Sequence, residues 1–202
     1  MIELHEEIVE RSHYDYSRGE RPSKEDPSNH IFPPFDQLYN WSHLTPLNKV
    51  KVIILGDEPS NKPGFSHGLA YSQSITSKRI LGTMNNIHNE LNHQFPNQFP
   101  SNLSHGSLVS WTQSGILLLN IIQTIPRSTG TSHQGIGWER FTQVVLNLID
   151  QQGGSDLQLG LVFLIWGENA LNQINQSSIP SGFLALYLLC FLLGIYSLKE
   201  II

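Results

Sequence analysis

The stretch Lys51-Val52-Ile53-Ile54-Leu55-Gly56-Asp57-Glu58-Pro59 decides the fold class of this 202-residue chain. A continuous run of β-branched and aliphatic residues is typical of a strand that is buried on both faces, as in parallel sheets. Ligands of open α/β sheets bind outside the carboxyl ends of the strands, so Asp57 and Glu58 are candidate site residues. Aspartate and proline are also ordinary turn formers, and a solvated turn explains the same residues equally well.

Similar apolar runs, each ending in a polar segment, recur along the chain at residues 50–56, 115–120 and 161–167. Between them, residues 78–91 and 138–149 show the apolar spacing of helices. Strands that alternate with helical segments predict an α/β domain, in which helices cover both faces of a mostly parallel sheet.

Composition narrows the classes of protein that this chain can belong to. The net charge of -5 is unfavourable for a protein that approaches phosphate, unless its basic residues cluster. Cys190 is the only cysteine, which excludes an internal disulfide and a cysteine-rich metal site. The nine histidines show no metal-ligand spacing, so we expect no metal.

The two ends of the chain differ from its centre. We expect residues 1–30 to form a flexible polar leader without a signal or transit peptide, and residues 31–202 to form a single domain. Apolar anchors at residues 31–35 and Trp41 are expected to pack the leader onto the body. The last part, residues 176–202, is atypical.

The segment 183–198 contains no charged residue and is apolar almost throughout. Its length falls just short of the roughly 20 residues that a membrane-spanning helix needs. Three interpretations stay open: a buried fourth strand followed by a terminal helix, a C-terminal membrane anchor, or a non-native end.

Four segments resemble, in order and spacing, the motifs of uracil-DNA glycosylases of the family-1 type: KVIILGDEPSNKPGFSHGLAYS, GILLLN, SHQGIGWERFT and LVFLIWG. The upstream IFPPFDQLYNW is similar to the segment before the first motif, so the resemblance covers roughly residues 31–175. It implies a three-layer α/β/α fold with a four-stranded parallel sheet. It also implies hydrolysis of the N-glycosidic bond of uracil in DNA, without metal or cofactor, on a base rotated out of the helix.

The resemblance assigns roles to the first motif, where this chain departs from the family pattern Gly-Gln-Asp-Pro-Tyr-His. Glu58 occupies the position of the catalytic aspartate, which orients water and stabilises the cationic sugar. Its extra methylene moves the carboxylate by roughly 1 Å, a displacement that can cost on the order of 10²-fold in rate. Asp57 is the neighbouring substrate-site carboxylate. Ser60 replaces a tyrosine that closes the pocket against the methyl group of thymine.

Two further substrate-binding residues follow from the resemblance. Tyr71 lies where the family places a phenylalanine that stacks on the base, and either aromatic ring supplies such a face. Asn120 matches the asparagine whose amide recognises the uracil edge. Without the motif, an ordinary core aromatic and a turn-capping amide would explain the same residues.

The predicted DNA-binding residues are Ser132, His133, Gly167 and Glu168. The family's proline-rich loop before a helix aligns with Leu81-Gly82-Thr83-Met84, which contains no proline. The family's later segment with a histidine that stabilises the departing base has no counterpart here, because no histidine follows His133.

Two functions therefore compete. The first is a uracil-DNA glycosylase of base excision repair with reduced turnover. The alternative is a weak or inactive protein of the same fold that binds DNA or a protein partner. We expect uracil-containing DNA, single or double stranded, as the partner, a membrane only through the apolar C-terminus, and a monomer. Family habit predicts the nucleus, or the cytoplasm for a bacterial or viral protein.

Overall fold

The computed structural model describes residues 31–96, 98, 103–127, 132–153, 161–175 and 184–188. For residues 152–153 and 184–188 it describes the backbone alone. The predicted leader, residues 1–30, lies outside the described residues, as do residues 189–202.

Six strands and five helices form the described part of the chain, with two short 3₁₀ turns at Phe35–Gln37 and Leu47–Lys49. The strands are β1 (Ile31–Phe32), β2 (Val52–Gly56), β3 (Ile116–Asn120), β4 (Ile125–Pro126), β5 (Val162–Trp166) and β6 (Leu184–Leu188). The helices are α1 (Asn40–Leu44), α2 (Gly82–Gln94), α3 (Val109–Gln113), α4 (Trp138–Gly153) and α5 (Glu168–Asn175).

The central sheet has four strands in the order β3-β2-β5-β6, and every neighbouring pair is parallel. The three apolar runs of the sequence form β3, β2 and β5, which confirms the predicted α/β class. The fourth strand lies within the apolar segment 183–198. The terminal helix that the first interpretation places after this strand lies outside the described residues. Among the described helices, none combines the length and the apolar character needed to cross a bilayer.

Parallel pairing brings the carboxyl ends of the strands to one edge of the sheet. Gly56 lies opposite Asn120, and Leu55 lies opposite Ile165, so Trp166 follows at the same edge. The polar residues that follow each strand therefore meet there, and we expect a functional site at this edge.

Helices α2 and α4 bury the faces that helical periodicity selects. In α4, Trp138, Leu146 and Ile149 are buried. In α2, Met84 and Ile87 take the same role. Helix α2 begins at Gly82, four residues later than the predicted start at residue 78. Residues 74–77 form a turn of their own, and the buried side chain of Gln73 accepts a hydrogen bond from the backbone N–H of Leu81, just before the helix.

The apolar anchors behave differently from one another. Phe32 and Trp41 are buried, and the Trp41 ring contacts Phe141 edge-on at a centroid distance of 6.3 Å. Phe35, which we expected to pack as an anchor, is 55% exposed, so that expectation was wrong for this side chain. The backbone of the same segment packs instead: β1 pairs antiparallel with β4, beyond the end of β3.

The 3₁₀ turn at Phe35–Gln37 approaches the loop after β2 so closely that only glycine fits. Gly68 has φ +83°, and a Cβ added there would lie 1.9 Å from the carbonyl oxygen of Gln37. Asn40 reinforces this contact by donating its side-chain amide to the carbonyl of His67 at 2.9 Å. The loop that carries the first motif is therefore fixed to the N-terminal part of the domain.

Replacing Gly68 by alanine tests this close approach, with Gly64 as a matched control. Both glycines have positive φ, but a Cβ at Gly64 meets no atom within 4 Å. We expect Gly64→Ala to lower the free energy of unfolding by about 1–2 kcal/mol, the cost of a left-handed alanine. Gly68→Ala should cost on the order of 3 kcal/mol or more, because backbone atoms must move. Urea unfolding measures both, and equal costs would contradict the proposed contact.

Candidate active site

The two carboxylates that follow β2 point to different partners. The Asp57 carboxylate accepts a hydrogen bond from the side-chain amide of Asn169 at 2.9 Å. The Glu58 carboxylate accepts one from the hydroxyl of Ser132 at 2.5 Å. Because the two carboxylates have different partners, Asp57 does not take the place of Glu58.

Tyr71 and Asn120 converge above Gly56, at the end of β2. A Cβ added to Gly56 would lie 2.6 Å from Oδ1 of Asn120 and 3.2 Å from Cε2 of Tyr71. Both side chains therefore border the same small volume, and the absence of a side chain at Gly56 keeps it open. The sequence predicted these two residues as parts of one site, and the fold brings them together.

The backbone of Asn120 is held at the end of β3 by two side chains. Its backbone carbonyl accepts hydrogen bonds from the side chains of Gln123 and Thr142, which fix the end of β3. The residue is only 7% exposed, yet its side-chain amide makes no hydrogen bond to any residue that the structure describes. A buried amide has both a donor and an acceptor to satisfy, so this group is available to a ligand with complementary edges.

Tyr71 is held in an uncommon backbone conformation. Its φ of 61° lies in the left-handed region that non-glycine residues seldom adopt. Its hydroxyl donates to the carbonyl of Trp166 at 3.0 Å, and the two rings lie 4.9 Å apart between centroids. Burial, together with the negative charge of Asp57, raises the pKa of Tyr71 above its ordinary value. Such local strain is frequently found at functional sites.

A second hydrogen-bonded chain fixes the loop that carries Ser132 and His133. The Nδ1 atom of His133 lies 2.8 Å from the hydroxyl of Thr124, and that hydroxyl accepts from the indole N–H of Trp138 at 2.7 Å. Burial lowers the pKa of His133 below 6.5, so its ring is predominantly neutral at pH 7. His133 therefore adds no positive charge to the site.

The end of β5 adds a third carboxylate to this edge of the sheet. Gly167 has φ +105° and turns the chain into α5, whose first residue is the exposed Glu168. A carboxylate is favourable at this end of a helix because it faces the positive end of the helix dipole. With Asp57 and Glu58, it makes the rim of the site negative, which suits a cationic group and opposes phosphate.

Several residues of the site have no individual signal in the sequence. Asn169, Trp166 and Thr124 act through partners that are distant along the chain, and their residue types are common in loops and cores. The nearest indication is that Asn169 lies in the first turn of a helix after a glycine, beside the end of a strand.

An apolar cavity of about 170 Å³ lies elsewhere in the domain, between helices α1 and α4 and beside Leu117 of β3. It is lined by Trp41, Ser42, Thr45, Leu47, Val50, Leu117, Val145, Leu148 and Ile149. None of these lining residues carries a charge, so the cavity offers no group for acid–base chemistry, unlike the edge of the sheet at the carboxyl ends of its strands.

Comparison with known proteins agrees with the geometry. The chain is 35% identical over 150 residues to the uracil-DNA glycosylase of Agathobacter rectalis, an alignment that covers 74% of this chain and 63% of that protein. It is 37% identical over 164 residues to the uracil-DNA glycosylase of Saccharomyces cerevisiae, covering 79% of this chain and 45% of that protein. No protein-family model matches the chain.

The chain belongs to the uracil-DNA glycosylase family. It spans about half to two thirds of the length of these curated relatives.

Solved structures of the family have the same fold. The crystal structure of mimivirus uracil-DNA glycosylase superposes with a TM-score of 0.66 at 22% identity, covering 78% of this chain and 55% of that one. The wild-type UNG of Nitratifractor salsuginis superposes with a TM-score of 0.58 at 19% identity, covering 81% and 76%. The three-layer arrangement around a parallel sheet is thus the fold of uracil-DNA glycosylases.

In the first motif, Ser60 is a small side chain at the position where the resemblance expects a tyrosine. It is half-buried, and its carbonyl accepts from the hydroxyl of Ser66 at 3.0 Å. Its own hydroxyl accepts from the backbone N–H of Lys62 at 3.3 Å. Both bonds are local to the loop, so Ser60 stabilises a turn without filling the volume that an aromatic ring would occupy.

The raised pKa of Tyr71 predicts a pH dependence of stability that Tyr71→Phe removes. The unfolded tyrosine ionises near pH 10, while the folded one stays protonated, so unfolding releases a proton above that pH. The stability of the wild-type protein should therefore fall by up to about 1.4 kcal/mol per pH unit above pH 10, relative to the variant.

Urea unfolding of both proteins at pH 8, 10 and 11 measures the difference. At pH 8, Tyr71→Phe should be less stable by about 1 kcal/mol, because it loses the bond to Trp166. Burial also raises the pKa of Tyr39, but that contribution is common to both proteins and cancels. Parallel pH profiles would show that Tyr71 ionises equally in the folded and unfolded states.

Proposed function

We propose that this protein hydrolyses the N-glycosidic bond of uracil in DNA, a reaction of base excision repair, at a reduced rate. The observation that carries the proposal is the convergence of the Tyr71 ring and the Asn120 amide above Gly56. Glu58 follows at the same edge of the sheet, held by Ser132. Membership of the uracil-DNA glycosylase family supports the same activity.

In this proposal, the pocket recognises a base that has left the helix. The face of the Tyr71 ring stacks on the pyrimidine, while the bond from its hydroxyl to Trp166 fixes the orientation of the ring. The Asn120 amide donates to one carbonyl of uracil and accepts from the ring N–H. Cytosine presents the opposite pattern, so a single fixed amide distinguishes the two bases.

Glu58 supplies the negative charge opposite the sugar. As the base leaves, positive charge develops on the sugar, and a fixed carboxylate stabilises it without reorganising at the moment of reaction. The hydroxyl of Ser132 orients this carboxylate from across the loop. The longer side chain of glutamate places the charge differently from an aspartate, which is why we expect slow turnover.

Substitution of Glu58 tests the proposed mechanism. Glu58→Gln should lower the rate of uracil release from a single-stranded oligonucleotide by about 10²-fold or more, because the charge opposite the sugar is removed. Glu58→Asp should raise the rate, since it restores the shorter reach. Glu90→Gln, the same change on α2, serves as a control and should keep the wild-type rate. Equal rates for the wild type and both Glu58 variants would remove Glu58 from the mechanism.

The small side chain of Ser60 predicts weak discrimination between uracil and thymine. A single methyl group contributes only about 1–3 kcal/mol of selectivity even in a tight pocket, and Ser60 leaves that volume unfilled. We therefore expect slow release of thymine from an undamaged oligonucleotide, and Ser60→Tyr should abolish it while keeping uracil release. An enzyme that releases uracil and no thymine would contradict this account of the pocket.

The alternative function, DNA binding without turnover, is favoured by the substitutions at Glu58 and Ser60 in the first motif. The two functions differ in a single assay. A uracil-containing oligonucleotide that is bound and retained, with no free base after prolonged incubation, would support the binding protein. Free uracil together with an alkali-labile abasic site would support the enzyme.

A further inference from the structure

Gln73 is a buried side chain that connects three separate segments. It is 1% exposed and lies two residues beyond Tyr71 along the chain. Its backbone N–H donates to the carbonyl of Gly106 at 2.9 Å. Its side-chain amide donates to the carbonyl of Arg79 at 2.9 Å and accepts from the backbone N–H of Leu81 at 2.8 Å. Both ends of the amide are therefore used on the backbone just before α2.

The side chain of Gln73 lies closely against the backbone of Gly106. A Cβ added to Gly106 would lie 2.5 Å from Oε1 of Gln73 and 2.7 Å from its Cδ, so a larger residue there would displace the amide. A glutamine that is nearly inaccessible to water, with donor and acceptor both satisfied, holds its partners firmly.

The restrained segment has the backbone conformation of a proline. Leu81 has φ -73° and ψ 154° at the start of α2, and proline is limited to φ near -65°. A proline at this position would have no N–H to satisfy. Leu81 has a backbone N–H instead, and Gln73 provides its acceptor.

Two adjacent cations lie on the same loop. Lys78 and Arg79 are both exposed, and the carbonyl of Arg79 is one of the two atoms that Gln73 holds. The loop lies between the pocket residue Tyr71 and the start of α2. These cations are close to the pocket along the chain, and their charge is opposite to that of the rim carboxylates, which repel phosphate.

We propose that Gln73 is a positioning residue, which fixes the backbone at Arg79 and Leu81 and thereby presents Lys78 and Arg79 to the phosphates of a bound DNA strand. The proposal rests on the proposed function, because it takes DNA as the ligand. Gln73 itself touches no DNA and acts only through the loop.

The test measures binding of a fluorescently labelled single-stranded oligonucleotide without uracil, by anisotropy over a series of salt concentrations. Gln73→Met keeps the size of the side chain and removes both hydrogen bonds. We expect about tenfold weaker binding and a shallower plot of log affinity against log salt. On a single strand, the slope should decrease by about 0.7 for each phosphate that the loop no longer neutralises. The Lys78→Ala/Arg79→Ala variant, which leaves the core intact, should show the full decrease.

Two combined variants separate positioning from general damage. In the Lys78→Ala/Arg79→Ala background, Gln73→Met should weaken binding no further. In the Gln73→Met/Leu81→Pro variant, binding should recover, because proline fixes φ and removes the N–H that no longer has an acceptor. An unchanged salt dependence in Lys78→Ala/Arg79→Ala, or an equal weakening by Gln73→Met in both backgrounds, would overturn the proposal.

Failure of the proposed function gives a different result. If the wild-type protein binds no DNA, both the proposed function and the presentation of Lys78 and Arg79 to phosphate are wrong. Hydrogen exchange then decides the structural step on its own: the Leu81 amide should exchange at least tenfold faster in Gln73→Met than in the wild type. Equal exchange rates would show that Gln73 holds no loop.

Discussion

The parallel pairing of β2 with β3, which sets Gly56 opposite Asn120, is the constraint on which the rest of the site depends. The pairing continues beyond the strands, because the N–H groups of Ile121 and Ile122 donate to the carbonyls of Gly56 and Asp57, each at 2.9 Å. A slip of one residue would turn Asn120 to the other face of the sheet. The bonds of Ile121 and Ile122 extend this register beyond the strands and so fix the position of Asn120.

The same core offsets the costs of the site. Tyr71 has an unfavourable φ, and Asn120 keeps a nearly buried amide without a partner among the described residues. Each feature costs on the order of 1–3 kcal/mol relative to a relaxed or satisfied alternative. The fully buried Leu118 and Ile53, in neighbouring strands, stabilise the fold enough for these costs to be tolerated.

The sequence revealed the scaffold better than it revealed the contacts of the site. Strands β2, β3 and β5 were predictable because a strand buried on both faces needs a continuous apolar run. Tyr71 and Asn120 were predictable through their motifs. The bonds from Asn169 to Asp57 and from Ser132 to Glu58 join residues 112 and 74 positions apart, and no local pattern encodes such partners. Gln73 has no signal in the sequence for the same reason, since its role depends on its hydrogen bonds to the backbone of Arg79 and Leu81.

In the proposed function, the negative charge of the rim has opposite effects on the sugar and on the phosphates of the DNA strand. Asp57, Glu58 and Glu168 follow strand ends at one edge, and the neutral ring of His133 does not balance them. This field favours a cation that develops at the sugar, but it raises the free energy of phosphates close to the pocket. In the proposed function, favourable contacts with phosphate therefore come from outside the rim. In the proposed function, the chemistry and the contacts with DNA therefore belong to different segments, and the buried amide of Gln73 holds the backbone of the second segment at Arg79 and Leu81.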